Sequence, residues 1–267
     1  MISDFHMHTG FSTDTDVNPE DMIKGSIAKG VECICITDHY DMDYVDGSGD
    51  FVFDPTSYFQ CMTELQEKYR NKIDMRIGVE IGLQMHLKEY YKEFTSQYPF
   101  DFVIGSAHFL KGEDPYYKGV FKGFHDSDSY QVAFEEMLAL VNTIDDFDVL
   151  GHFDYIVRYG NEQAKHYSYS KYSDLIDEIL KSLICKGKGL ELNTAGYKYG
   201  LGFAHPHPDV LKRYRELGGE IITIGSDGHQ PEHIAYEFDK VKSILENCGF
   251  KYYTEFRNRT PNFCKLL

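Results

Sequence analysis

The chain has 267 residues, 42% apolar and 26% charged, with 43 acidic against 27 basic side chains and a formal charge of −16. That length can bury one large core, as single αβ barrels do, and no apolar run reaches the roughly 20 residues a membrane span needs. The acidity argues against a general nucleic-acid binder, which needs a basic patch to displace counterions from phosphates.

Asp4 and His6 interrupt any apolar leader, so the chain is expected to begin at Met1 without a signal peptide. The six cysteines, at 33, 35, 61, 185, 248 and 264, form neither a dense framework nor a Cys-x-x-Cys pair. They read as reduced thiols of a cytoplasmic protein, with Cys33 and Cys35 packing inside a strand.

In chain order, residues 3–8 form a short first strand, and Asn18 with Pro19 opens a helix that Gly30 ends. Residues 31–38 are a buried strand, followed by a loop through Gly49 rich in Gly and Asp. Asp54 and Pro55 open a helix to about Arg70. Strands over 73–81 and 100–107 flank a helix near 84–97, which establishes βα alternation in a single domain. Residues 111–127 make a loop longer than a connection needs, a candidate substrate lid. A helix over 129–143 and a strand over 148–152 follow. Ser170 caps a helix to Lys186, residues 189–193 are the sixth strand, and Pro208 starts a helix stopped by Gly218. Residues 220–226 are the seventh strand, and Pro231 opens a last helix ending near Gly249.

Nearly every strand ends in a metal-ligating type of side chain. His6 and His8 lie two apart and share a face. Asp14 and Asp16 follow in a loop over the same end. Thr37-Asp38-His39 closes the second strand, and Glu80 sits within Gly78-Val79-Glu80-Ile81-Gly82, where an unpaired carboxylate would cost several kcal/mol. His108 and His152 each follow an apolar strand ending in small residues, Ser106 among them. Asn193 ends the sixth strand, and Asp227 and His229 the seventh. A parallel barrel gathers such ends on one rim. His86, His125, His166 and His233 read as surface residues, while His205-Pro206-His207-Pro208 is either a rigid turn or a substrate contact. Tyr40, Tyr44, Tyr117, Tyr155, Tyr197 and Tyr199 are candidates for a pocket wall.

The ordered set of His6-x-His8, Thr37-Asp38-His39, Glu80, His108, His152 and Asp227-Gly-His229 resembles the PHP superfamily of metallophosphoesterases. The segments 151–160, Asn193-Thr194 and 205–208 resemble its monofunctional histidinol-phosphate phosphatases. The resemblance implies a distorted (β/α)7 TIM-like barrel with three divalent ions, Zn, Mn or Fe, at the C-terminal rim. His6, His8, Glu80 and Asp227 would hold one ion, with Glu80 bridging to a second on His108 and His152. Asp14, His39 and His229 would hold the third. Asp14 departs from relatives with histidine there, and its oxygen shifts preference from Zn toward Mn or Fe.

The implied reaction is hydrolysis of L-histidinol phosphate by a water whose pKa the ions lower. Three ions against Asp14, Glu80 and Asp227 leave a site near +3, or about +2 with one bridging hydroxide, matched to a monoester of roughly −1.5 to −2. Arg158 is the expected phosphate clamp, with Lys198, His207 and Ser106 as further substrate contacts. Leaving-group protonation is open among Asp154, His207 and metal-bound water. Asp41, Asp43 and Asp46 are candidates for the substrate's cationic end. The competing readings are a phosphoesterase for another small phosphate or nucleotide, and a nonenzymatic metal-binding module. A homo-oligomer is compatible with the sequence.

Overall fold

The computed structural model describes residues 3–44, 51–117 and 119–266. Six parallel strands run in the order β1 (Cys33–Ile36), β3 (Asp74–Gly82), β4 (Phe102–Ser106), β5 (Val149–Leu150), β6 (Gly189–Asn193) and β7 (Ile222–Gly225). The two-residue β2 (His39–Tyr40) adds to β3. Between them come α1 (Pro19–Ala28), α2 (Pro55–Tyr69), α3 (Lys88–Gln97), α4 (Asp126–Thr143), α5 (Ser173–Cys185), the short α6 (Ala195–Lys198) and α7 (Pro208–Glu216). Helix α8 (Val241–Asn247) and an antiparallel hairpin, β8 (Tyr252–Arg257) with β9 (Thr260–Lys265), follow β7.

The sheet curls back on itself through residues 3–8. The Asp4 N–H donates to the Cys33 carbonyl beside β1, and the Phe5 N–H donates to Ile224 in β7, at 3.1 and 2.8 Å. This stretch was expected to be a strand but makes only isolated bridges, at Asp4 with Ile34 and at Met7 with Gly228. Two of its amides are diverted to side chains, Met7 to the Thr37 hydroxyl and His6 to the Asp4 carboxylate, which breaks a continuous ladder. The result is the distorted TIM-like barrel the sequence implies.

The other end of the barrel is plugged. Phe5, Cys33, Cys35, Phe102, Ile104, Val149 and Phe256 form an internal apolar cluster, with the Phe102 ring 5.0 Å from Phe256 and 5.5 Å from Phe5. Phe256 belongs to the hairpin, an element the sequence reading did not contain. Cys33 and Cys35 pack here as expected, and none of the six cysteines is paired. Among the described residues no helix is long and apolar enough to cross a membrane.

Two helix starts differ from expectation. Ser170 lies in a 3₁₀ turn, Tyr169–Lys171, and α5 begins at Ser173 without a side-chain cap. After Pro231 there is one 3₁₀ turn, Pro231–His233, and the α-helix waits until Val241. The intervening backbone is committed elsewhere: the Ala235 N–H donates to Asp4, and Lys29 donates to the carbonyls of Glu232 and Ile234. The other caps are as read, with Asn18 accepting from Glu20 and Asp54 from Ser57.

Asp4 therefore holds the closure of the barrel. Its buried carboxylate accepts from the Ser226 amide and hydroxyl at 2.9 and 2.6 Å and from the Ala235 amide at 2.9 Å. Asp4→Ala strands these donors, and unfolding in urea is expected to show a loss of about 3 kcal/mol; a variant as stable as the parent would contradict this account.

Candidate metal centre

The parallel strands bring their C-terminal ends to one rim. The pairing of β2 with β3 sets His39 beside Glu80, while His108 and His152 lie two residues beyond β4 and β5, and Asp227 two beyond β7. Asp227 has φ of +52°, a left-handed conformation that aspartate tolerates better than most side chains. This turn brings its carboxylate to 3.9 Å from His6 Nε2 and 3.4 Å from His8 Nε2.

Glu80 is at the centre and fully buried. Its Oε2 lies 3.1 Å from His6 Nε2, 3.5 Å from His8 Nε2 and 3.0 Å from His39 Nδ1. Its Oε1 faces the other side, 3.2 Å from His108 Nε2 and 2.9 Å from His152 Nε2. His229 Nε2 is 2.9 Å from Asp14, and His39 Nε2 is 3.8 Å from the same carboxylate. The rings of His39 and His229 stack against His8, each at 4.1 Å. All nine expected ligand residues are thus gathered in one cluster.

The electrostatics are those of a negative trap. Burial alone would drive His6 neutral, yet Glu191, Glu80 and Asp227 hold its pKa well above the ordinary imidazole value. His39 is raised to about 9 against its burial by Glu80 and Asp14. Burial would raise Glu80, but His6, His108 and His39 hold it well below the usual range. His8 moves down, through burial and through His229 and His39 beside it.

Several of these atoms have no hydrogen-bond partner despite burial: His6 Nε2, His8 Nε2, His39 Nδ1 and Glu80 Oε2. Buried lone pairs that converge without a donor are costly, and a divalent cation is the partner that satisfies them together. Overlapping trios have ligand atoms within 4.8 Å of one another, among them His6/His8/Glu80, Glu80/His108/His152 and His8/His39/His229. The nitrogen and oxygen donors, without a thiolate, suit Zn, Mn or Fe. The residues present fit such ions. Most of the histidines also have an orienting contact on the ring nitrogen turned away from the cluster. His108 Nδ1 is 3.0 Å from Asp41, His8 Nδ1 is 3.1 Å from the Ser12 hydroxyl, and Ser12 in turn donates to Asp38.

A cavity of about 790 Å³ opens above the cluster, lined by Asp14, His39, His108, His152, Asp227 and His229 at its floor. Arg158 and Lys198 are its basic lining residues. The Arg158 guanidinium lies 4.5, 4.6 and 4.0 Å from the ring centres of Tyr155, Tyr159 and Tyr199, and Lys198 donates to the Asp227 carbonyl at 3.1 Å. Tyr44, Tyr116, Tyr117 and Asp114 complete the wall. Tyr40 instead stacks on Phe94 in the core at 4.1 Å, and Tyr197 packs beneath Lys240.

Other expected contacts lie elsewhere. Ser106 is buried, and its hydroxyl donates to Glu80 at 2.6 Å, so it is below the cavity and not available to a substrate. Asp154 is buried and spent on His205 Nδ1, at 2.5 Å, and on the His207 amide. His207 caps α7 by accepting from Asp209. Neither Asp154 nor His207 lines the cavity. His205-Pro206-His207 is thus a turn held by Asp154. Asp43 pairs with His86 at the surface, and Asp46 lies outside the described residues. Conversely His233, read as a surface residue, lines the cavity, and Asp114 in the loop after β4 was not singled out.

Comparison with known proteins agrees with this geometry. The PHP-domain family model matches residues 4–195. A probable histidinol-phosphatase of Clostridium acetobutylicum is 38% identical over 252 residues, covering 94% of this chain and 95% of its own length. The histidinol-phosphatase of Lactococcus lactis subsp. lactis is 31% identical over 255 residues, covering 92% and 91%. The crystal structure of histidinol phosphate phosphatase from that organism, in complex with zinc, L-histidinol and phosphate, superposes with a TM-score of 0.90 at 28% identity and covers 98% of both chains. Matched by the family model over most of its length and by both relatives over more than nine-tenths, the chain belongs to the PHP-domain family.

Proposed function

We propose that this protein is a metal-dependent phosphomonoesterase that hydrolyses L-histidinol phosphate to L-histidinol and phosphate. The observation that carries the reading is the gathering of eight imidazole and carboxylate groups around Glu80, beneath a cavity whose basic side chains are Arg158 and Lys198. The likeness to a phosphatase crystallised with zinc, L-histidinol and phosphate supports the choice of substrate.

The two oxygens of Glu80 face different histidine sets, and this supports a bridging role. On this reading His6, His8, Glu80 and Asp227 would hold one ion, Glu80, His108 and His152 a second, and Asp14, His39 and His229 a third. The bound ions would supply Lewis-acid charge for the phosphoryl oxygens and lower the pKa of an attacking water. The chain's own residues position the ester. Arg158 is fixed in orientation by its three tyrosine neighbours, so its planar N–H groups reach a phosphate with little further loss of freedom. Lys198 adds a second positive charge beside Asp227. Asp114, an acid in the same lining, accepts from the Tyr116 amide at 2.8 Å and from the Tyr44 hydroxyl, and it suits the cationic amine. The exposed rings of Tyr116 and Tyr117 offer flat surfaces to an imidazole.

Three outcomes test the reading. Zinc- or manganese-loaded protein is expected to release phosphate from L-histidinol phosphate about 10²-fold more efficiently than from a nucleoside monophosphate, with a cyclic phosphodiester and single-stranded DNA as further arms. Preference for a nucleotide would replace the substrate assignment, and inertness toward every ester would favour a binding module. Arg158→Ala is expected to lower kcat/KM by about 10²–10³-fold, with Arg158→Lys recovering only part because an ammonium lacks the planar pair of parallel N–H donors that a guanidinium offers a phosphate; equal activity of all three would remove Arg158 from the site. Stripping with a chelator is expected to abolish turnover and lower the thermal midpoint, and zinc at about 100 times its Kd should restore about 2.7 kcal/mol. Elemental analysis of the reloaded protein counts the ions.

A further inference from the structure

One buried acid in contact with the cluster has no part in the chemistry derived above. Glu191 sits in the middle of β6 and is 1% exposed. Its Oε1 is 2.5 Å from His6 Nδ1, while its Oε2 accepts from the His152 amide at 2.8 Å and from the Asn193 side-chain amide at 3.1 Å. The neighbouring strand leaves room for this carboxylate: a Cβ at Gly225 would lie 2.4 Å from Glu191 Oε1 and 2.4 Å from the Cβ of His6. A glycine on β7 is thus a condition for the Glu191–His6 contact.

The chemistry of the three contacts specifies a carboxylate. An ionised glutamate is acceptor-only, and the His152 and Asn193 contacts are both donors to it. With an ion held at Nε2, which lies 3.1 Å from Glu80 Oε2, His6 would keep its single proton on Nδ1, and the remaining Glu191 oxygen would accept it. An amide in the same place has one acceptor and one donor end. It must turn an N–H toward either His6, forcing the proton onto Nε2, or the His152 amide, where two donors would oppose each other.

We propose that Glu191 is the positioning residue that sets the His6 tautomer and ties His6 and His152 to one rigid point beneath the cluster, so that the two ions assigned to those histidines are held in register. This rests on the reading of His6 and His152 as ligands given above. Orienting partners of this kind carry a measurable share of metal affinity.

The test compares wild type, Glu191→Gln and His6→Ala, each checked for folding by circular dichroism, in competition for zinc against a chromophoric chelator. Glu191→Gln is expected to bind zinc about 10–100-fold more weakly, and Glu191→Asp, which keeps two acceptor oxygens, to recover part of the loss. The ¹⁵N spectrum of histidine-labelled, zinc-loaded wild type is expected to show His6 carrying its proton on Nδ1. Wild-type affinity in folded Glu191→Gln would overturn the proposal. Should that variant not fold, a bare Nδ1 on His6 in the zinc-loaded wild type would overturn it as well. Undiminished zinc binding by His6→Ala would instead sink the ligand reading itself, separating the two failures.

Discussion

A carboxylate removed from water and surrounded by five imidazoles governs this fold's working end. Glu80 is flanked in β3 by Val79 and Ile81, both fully buried, so the same strand that builds the core also carries the charge into it. The desolvation of that charge is offset only if the groups around it are cationic or share a cation with it. Each oxygen of Glu80 faces a different pair or trio of histidines, and those histidines come from separate stretches of chain: His6 and His8 from residues 3–8, His39 from β2, and His108 and His152 from the turns after β4 and β5. The parallel topology is therefore a requirement of the site, because an antiparallel neighbour would place its C-terminal end at the opposite rim.

Orientation is a separate problem from proximity. A histidine can offer either ring nitrogen, and a cluster assembled from the wrong tautomers would present N–H groups to one another. The contacts behind the cluster, Asp41 on His108 and the Ser12–Asp38 pair on His8, take up the nitrogens turned away from Glu80. These groups are as buried as the ones they orient, which keeps their hydrogen bonds from exchanging with water. Below them the barrel axis turns apolar, closed by Phe102, Phe5 and Phe256. The ligating groups thus occupy the rim, and an apolar cluster fills the barrel beneath them.

Much of this was legible in the sequence, for identifiable reasons. Glu80 announced itself as an acid in an apolar strand, and His108, His152, Asp227 and His229 as ligating side chains just past strand ends. Glu191 carries the same signal, an acid between Leu190 and Leu192 in a short strand, but it lies mid-strand, away from the strand ends where the pattern of ligating side chains is visible. Ser106, Asp154 and His207 show the converse: each is close in sequence to a strand end, but only the packing reveals the contacts that the Ser106 hydroxyl, the Asp154 carboxylate and His207 Nδ1 make within the protein. The hairpin β8–β9 and the broken stretch after Pro231 depend on partners far away in sequence, Phe102 and Asp4, which local pattern cannot supply.

The net charge of −16 and an anionic substrate are compatible because the relevant field is local. Exposed acids more than about 8–10 Å from the cavity are screened by salt, whereas Arg158 and Lys198 act at its wall, across a low-dielectric tyrosine lining. On the proposed reading, the ions add positive charge at the floor, and Asp114 lies on the wall on the side of Tyr44 and Tyr116. On that same reading, a molecule anionic at one end and cationic at the other would be oriented with its phosphate toward the ions and its amine toward Asp114. A plain phosphate monoester lacking the amine would satisfy only half of that arrangement, and this is the physical source of discrimination that the cavity offers.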